Sequence, residues 1–262
     1  MVKIIVCGAR GRMGKNVVDL VFQEKEAKLT GAVEAPNHPS IGKEIRGIKL
    51  TSDLERVIQK DAVIIEFTIP EASMNHLNIA KKRGIPIVIG TTGFTEEEKA
   101  KIKESSLSIP ILFSPNMSIG INLLFNIVGE IAHLLGEGFD KEIIELHHRH
   151  KKDAPSGTAK KIAQIIAEAE GKKLSEVGIY GRRGETGERS TEEIGIHSVR
   201  GGTVPGEHKI IFAGAKEELE ITHRAESRYI FARGALLGAK FIAKQKNGLY
   251  TLQDVLKIRN KK

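Results

Sequence analysis

The chain has 262 residues, 40% of them hydrophobic and 28% charged, with a formal net charge of +8. This composition excludes a disordered or fibrous chain and suffices for one large or two modest domains, each with its own core. One cysteine, Cys7, excludes an internal disulfide and a cysteine-based zinc site, and three tyrosines with no tryptophan leave few platforms for stacking bases. Lysines are spread over helix faces and the C-terminal end, so the positive charge suits small anionic ligands and nucleic acid is not an expected partner. The apolar stretches read as short and interrupted, as from Ala62 to Ile65, so no membrane span is expected. The start, Met1-Val2-Lys3-Ile4-Ile5-Val6, enters a strand directly, which makes a cytoplasmic location the expectation.

The apolar run over residues 2–7 predicts a buried strand, and Val17, Val18, Val21 and Phe22 predict a helix over 15–23. A strand follows over 29–34, with further buried strands over 62–68, 85–90 and 109–114. Between them lie helices over 71–83 and 95–106, the second opened by the capping box Thr95-Glu96-Glu97-Glu98. Continuous apolar strands alternating with helices indicate a parallel sheet covered on both faces, a Rossmann-like doubly wound α/β domain. The pattern then changes to a long helix over 119–135, a partly alternating strand over 142–148 and a helix over 155–170. Residues 178–195, rich in glycine and charge, read as an exposed, mobile loop. Strands over 194–200, 207–213 and 218–223 suit a mixed or antiparallel sheet in a second, α+β domain. A final helix over 227–244 and a tail over 252–258 complete the chain, and the two domains join near 116–120.

Gly8-Ala9-Arg10-Gly11-Arg12-Met13-Gly14 lies between the first strand and the first helix. Glycines there permit a tight turn and let the backbone approach a pyrophosphate, which the helix N-terminus stabilises. Glu34, 20 residues after Gly14 at the end of the second strand, can accept hydrogen bonds from ribose hydroxyls. Its charge repels a ribose 2′-phosphate and Ala35-Pro36 add no cation, so NADH is the preferred cofactor. Arg10, Arg12 and Lys15 leave NADPH use open. Gly90-Thr91-Thr92-Gly93 and Ser114-Pro115-Asn116-Met117 follow strands at the same carboxyl edge, where open α/β sheets bind ligands.

The run His147-His148-Arg149-His150-Lys151-Lys152 packs three imidazoles and three fixed cations into six residues, followed by Asp153-Ala154-Pro155-Ser156-Gly157-Thr158. The imidazoles and lysines are candidate proton donors near neutral pH. On an unbroken strand His147 and Lys151 would stand about 13 Å apart, so a turn near 149–152 is needed for both to reach one small substrate. The N–H groups of Gly157 and Thr158 at the following helix start could then bind a carboxylate that Lys151 neutralises. Either Asp153 or Ser156 caps that helix. No metal is expected, because the flanking cations repel one. Arg224 and Arg228, beside His223, are candidates for a second anion contact.

The block Glu145-Leu146-His147-His148-Arg149-His150-Lys151-Lys152-Asp153-Ala154-Pro155-Ser156-Gly157-Thr158-Ala159 is similar to the signature of the 4-hydroxy-tetrahydrodipicolinate reductase (dihydrodipicolinate reductase) family, of the diaminopimelate route to lysine. The Gly8–Gly14 fingerprint, Phe67-Thr68, Gly90 to Gly93 and Gly206-Glu207-His208 also match family blocks. The resemblance implies a homotetrameric NAD(P)H-dependent oxidoreductase acting on a small dicarboxylate. It implies a dinucleotide-binding domain over 1–118, a substrate-binding and oligomerisation domain over 119–227, and a C-terminal helix within 228–262 that packs back on the first. By the same resemblance His147 is the acid/base residue and Lys151 a proton donor, while His148, Gly157 and Thr158 hold the substrate. Gly8, Ala9, Arg10, Gly11, Arg12, Met13, Glu34, Gly90, Thr91, Thr92, Ser114, Pro115, Asn116 and Met117 would contact the cofactor. Two positions depart from the pattern: Glu66 stands where many members have Asp, and Ala35 where some have Arg. The rival readings are another two-domain dehydrogenase acting on aspartate or a related amino-dicarboxylate, and a redox-sensing nucleic-acid binder. The histidine–lysine run argues against both, and the second also lacks a helix-turn-helix pattern.

Overall fold

The computed structural model describes residues 1–257, so the end of the expected tail over 252–258 lies outside the described residues. The chain forms two compact units, one of Met1–Ile119 with the segment from Arg228 onward, the other of Gly120–Ser227. The first unit opens with β1 (Val2–Cys7), α1 (Arg12–Gln23), β2 (Ala27–Val33), β3 (Glu44–Ile45) and β4 (Ile48–Thr51). It continues through β5 (Ala62–Glu66), α2 (Pro70–Arg83), β6 (Ile87–Ile89), α3 (Glu96–Ser105) and β7 (Pro110–Phe113). Along β1, Ile4 and Val6 enter one core with Val17, Val18 and Val21 of α1. Ile5 and Cys7 enter the opposite core with Leu77 and Ala80 of α2 and Ile102 of α3. Two buried faces explain why these strands are continuously apolar, and each such aliphatic side chain contributes about 1.5–3 kcal/mol.

The second unit contains α4 (Ile119–Leu135, entering from Gly120), β8 (Asp140–His147), α5 (Gly157–Ala169), α6 (Leu174–Val177), β9 (Gly178–Ile179), β10 (Ile194–Arg200), β11 (Gly206–Ala213) and β12 (Glu218–Ala225). Its mixed sheet runs β12-β11-β8-β10-β9, with β8 antiparallel to β11 and parallel to β10. Burial alternates along β8, placing Lys141, Ile143, Glu145 and His147 on the inner face. Ile143 there joins Ile121, Leu124 and Val128 of α4 and Ile162 and Ile166 of α5. The chain then returns to the first unit with α7 (Tyr229–Ile242), β13 (Gly248–Tyr250) and α8 (Leu252–Val255). Ala232, Ala235 and Ala239 of α7 share the core of α1, and β13 extends the sheet to the order β13-β7-β6-β5-β1-β2-β4-β3. Every neighbouring pair in that sheet is parallel except β3 with β4.

Several expectations are corrected. The first helix begins at Arg12 rather than 15, because Gly11 serves as its N-cap and Gly14 packs inside its first turn. The β3–β4 hairpin and β13 escape sequence reading, being short edge elements without an apolar period. Only 180–192 of the expected 178–195 loop is largely exposed, since both ends form strands, and it is fastened: Arg189 donates to Asp140 and to the carbonyls of Lys141 and Glu193, and Arg182 bridges Glu142 and Glu193. Nor are all apolar stretches short. Ile119–Gly138 is long and apolar enough to cross a membrane by length and composition, although Ile121, Leu124, Val128 and Ala132 line the second unit's core.

Candidate active site

In the first unit the glycines divide by what surrounds them. Gly8 adopts φ +76°, and a Cβ there would overlap the Phe67 carbonyl. A Cβ on Gly14 would overlap the Gly8 carbonyl oxygen and come within 2.8 Å of Ala9 Cα. A Cβ on Gly11 would meet only the Gly8 carbonyl oxygen, at 3.1 Å, and Gly11 is exposed. Gly8 and Gly14 thus let strand, turn and helix close together, while Gly11 leaves open space for an approaching group. The start of α1 has no side-chain cap and no acid in its first turn, so its free N–H groups and dipole suit a phosphate. Glu34 lies against this turn: its carboxylate accepts hydrogen bonds from the backbone N–H of Arg10 (2.8 Å) and of Ala35 (3.0 Å). These residues fit a dinucleotide.

The two loops at the carboxyl edge are less exposed than their sequences suggest. Thr91 is buried, and its hydroxyl accepts from Thr68 N–H at 3.0 Å and Ser73 Oγ at 2.8 Å. Gly90 is needed because a Cβ would overlap the Phe67 ring. Ser114 Oγ donates to the Asn116 carbonyl at 2.9 Å, and Met117 is buried in the core. Thr92, Gly93 and Pro115 remain exposed, and Asn116 half-buried. Beneath the edge Glu66, fully buried, binds Thr68 Oγ1 at 2.5 Å and His76 Nδ1 at 2.6 Å. Cys7, Glu66 and His76 offer ligand atoms within 4.8 Å of one another, but both carboxylate oxygens are already engaged. Burial, then the nearby Glu66, pushes the Cys7 thiol well up, which suits a core residue and not a nucleophile.

In the second unit the strand ends at His147, and the expected turn follows: Lys151 N–H donates to the His148 carbonyl at 3.1 Å. Ser156, not Asp153, caps α5, its Oγ accepting from Ala159 N–H at 3.1 Å. Gly157 and Thr158 open that helix, and nothing lies within 4 Å of a Cβ built on Gly157. Lys151 Nζ is held by both oxygens of Asp153, at 2.8 and 2.9 Å. Desolvation raises Asp153, but the hydrogen bond from Lys151, a backbone hydrogen bond and the charges of Lys151 and Arg200 together keep it below its ordinary value. His147 is buried at 8% exposure, and its Nδ1 lies 2.5 Å from Glu145 Oε2. Arg200 grips the same carboxylate at 2.8 and 2.7 Å. Burial raises Glu145, but hydrogen bonds from His147, Arg200 and Ser198 win and hold it at about 2. His208 stands edge-on to His147 with centroids 5.2 Å apart, and its Nε2 is 3.1 Å from Ser156 Oγ. Burial first, then the charge of His147, lowers His208 to about 3, so it is neutral at physiological pH.

The two arginines expected to add an anion contact lie in different units. Arg224 pairs with Glu207 at 2.7 Å on the exposed strand β12, and Arg228 belongs to the first unit as N-cap of α7. There burial and the neighbouring charge of Arg12, at the start of α1, lower the Arg228 pKa. Sequence reading missed Glu145, Arg200 and His208 as parts of the site. Alternation along β8 could have linked Glu145 to His147, but nothing local points to Arg200 or His208.

A doubly wound unit with a glycine turn before its first helix, in one chain with a mixed-sheet unit bearing a buried imidazole–carboxylate pair, fits the class of two-domain nicotinamide-dependent oxidoreductases. Residues 2–117 match the family model "Dihydrodipicolinate reductase, N-terminus", and residues 120–256 its C-terminal counterpart. The 4-hydroxy-tetrahydrodipicolinate reductase of Syntrophus aciditrophicus (strain SB) is 48% identical over 268 residues, covering 99% of this chain and 100% of that protein. A dipicolinate-bound dihydrodipicolinate reductase from Paenisporosarcina sp. TG-14 superposes with a TM-score of 0.77 at 26% identity, covering 99% of this chain and 100% of the other. Aspartate dehydrogenase from Thermotoga maritima shares the fold alone, with a TM-score of 0.50 at 13% identity over 94% of this chain and 97% of the other. The chain belongs to the dihydrodipicolinate reductase family.

Proposed function

We propose that this chain reduces 4-hydroxy-tetrahydrodipicolinate to tetrahydrodipicolinate, releasing water and oxidising a nicotinamide cofactor, with NADH preferred over NADPH. The observation that carries the reading is the cationic turn after β8, with buried His147 tied through Glu145 to Ser156 at the start of α5. His148, Gly157 and Thr158 hold the substrate carboxylates there, and Lys151 exchanges Asp153 for the substrate as its counter-ion. His147 and Lys151 form the acid–base pair that supplies the proton, and the Lys151 charge stabilises the negative charge developing on the ring. Reduced nicotinamide, when bound, supplies the hydride. Gly8 to Met13 hold its pyrophosphate, Glu34 its ribose, and the Gly90–Thr92 and Ser114–Met117 loops its nicotinamide end. In these loops the contacts come from backbone groups and exposed atoms, since the Thr91 hydroxyl and Met117 side chain are engaged internally. The Glu34 carboxylate over the Arg10 N–H supports the NADH preference. We further infer a cytoplasmic homotetramer; Ile144, Leu146 and Val199 share the sheet face opposite the helices, a surface that copies of the chain would cover.

The test follows absorbance of the reduced nicotinamide while a coupling synthase generates substrate from pyruvate and aspartate semialdehyde. Oxidation that needs both substrate and Lys151 supports the assignment. Intact NADH binding without oxidation would remove the substrate assignment and leave the nucleotide-binding unit. Sedimentation velocity tests the tetramer.

A further inference from the structure

Resting on that reading of His147, we infer that Glu145 is a positioning residue: it fixes the imidazole in one tautomer and ties it to the helix start that receives the substrate carboxylate. Alternation along β8 places both side chains on the inner face. Glu145 is fully buried, and a buried carboxylate is tolerated only where donors replace its water. The Ser198 side chain and four further donor atoms do so. His147 Nδ1 approaches Oε2 at 2.5 Å, the Ser156 N–H approaches Oε1 at 3.1 Å, and Arg200 gives Nη1 to Oε2 and Nη2 to Oε1. Arg200 is brought there by the β10–β8 register, which sets it opposite His147, and its Nη2 also donates to the Asp153 carbonyl at 2.7 Å.

The protonation pattern follows from the chemistry of these partners. An ionised carboxylate can only accept, so the proton of neutral His147 sits on Nδ1 and Nε2 is the nitrogen left for substrate. Gly206 packs directly against that nitrogen, where any larger residue would crowd it: a Cβ there would lie 2.9 Å from His147 Nε2. One carboxylate thereby links two parts of the reaction. Oε2 orients the imidazole, while Oε1 holds Ser156, whose hydroxyl caps α5 and contacts His208 Nε2. The titratable and charged groups around this point are Glu145, His147, Arg200, His208, Lys151 and Asp153.

The experiment combines kinetics with nitrogen-15 NMR of the imidazoles. In the wild-type protein His147 should show a protonated Nδ1 and an unprotonated Nε2 once neutral. Glu145→Gln places an amide N–H where one carboxylate oxygen stood: facing His147 it reverses the tautomer, and facing the Ser156 N–H it sets donor against donor, so either orientation breaks the clamp. The expected kcat loss is about 100-fold or more, with an altered pH profile. Affinity for dipicolinate, used as a dicarboxylate probe, should fall with it, and NADH affinity should stay unchanged. Glu145→Asp should recover part of kcat and the original tautomer. Should Glu145→Gln fail to fold, Arg200→Lys weakens the same clamp and should lower kcat without touching NADH binding. A wild-type Nε2–H tautomer, or a folded Glu145→Gln protein with wild-type kcat and pH profile, would overturn the inference. Absence of reductase activity in the wild type would instead sink the functional reading, and the wild-type tautomer would still decide the positioning claim.

Discussion

Gly14→Ala and Gly11→Ala should separate a glycine required by packing from one required by ligand approach. The Cβ of Gly14→Ala would overlap the Gly8 carbonyl oxygen and lie 2.7 Å from its carbon and 2.8 Å from Ala9 Cα. Carbon atoms rest at about 3.5–4.0 Å, so backbone must move by about 1 Å. Backbone cannot rotate aside as a side chain can, which puts the cost at the upper end for overpacking, about 3 kcal/mol. The Cβ of Gly11→Ala meets only one oxygen, at 3.1 Å, so a shift of a few tenths of an ångström suffices. Its stability cost should stay below about 1 kcal/mol, in the range of N-cap substitutions. The new methyl group nevertheless occupies the space over the α1 start, and NADH affinity should fall by about tenfold, or ~1.4 kcal/mol. Urea unfolding of the cofactor-free protein and titration with NADH measure the two quantities. If Gly11→Ala binds NADH like the wild type, or destabilises as much as Gly14→Ala, the division of labour among the glycines is wrong.

Glu170→Gln should destabilise the second unit by about 3–5 kcal/mol, because it strands fully buried Lys141, whose Nζ lies 2.5 Å from Glu170 Oε1. Replacing both residues with apolar ones should cost much less, and an equal cost in urea unfolding would refute the ion-pair argument. His208 is held at about 3 in the folded protein against an ordinary 6.5, so between those values only the unfolded chain binds its proton. Its contribution to stability is complete above pH 6.5 and is lost as pH falls toward 3, by about 1.4 kcal/mol per pH unit once well inside the window. His208→Gln should flatten that part of the stability profile, and an unchanged slope would assign it to other groups. Glu34→Arg removes the repulsion of a 2′-phosphate and should shift the NADPH-to-NADH ratio of kcat/KM by about tenfold or more. An unchanged ratio would mean that the 2′ position is read elsewhere.

How far the chain could be read depended on the range of the interaction. Apolar runs and the Thr95–Glu98 capping box act within a few residues, so the helices and buried strands were legible to within a few positions, whereas the choice of Ser156 over Asp153 as the α5 cap was not. The glycine turn and the His147–Lys151 run were legible for the same reason: adjacent residues carry both their shape and their chemistry. The short β3–β4 hairpin and β13 were not, because edge strands of two to four residues bury too little to impose a period.

What lies far apart in sequence only the tertiary structure decided. Arg200 meets Glu145 from 55 residues away, and His208 meets Ser156 from 52, because two strands flank β8 in fixed register. Arg224 and Arg228, neighbours in sequence, likewise end in different units. The sequence by itself determined which residues could bind, donate protons and carry charge. Which distant residues stand buried beside them, as Arg200 and His208 do, follows from strand pairing, since sheet register joins residues whose separation along the chain carries no local signal.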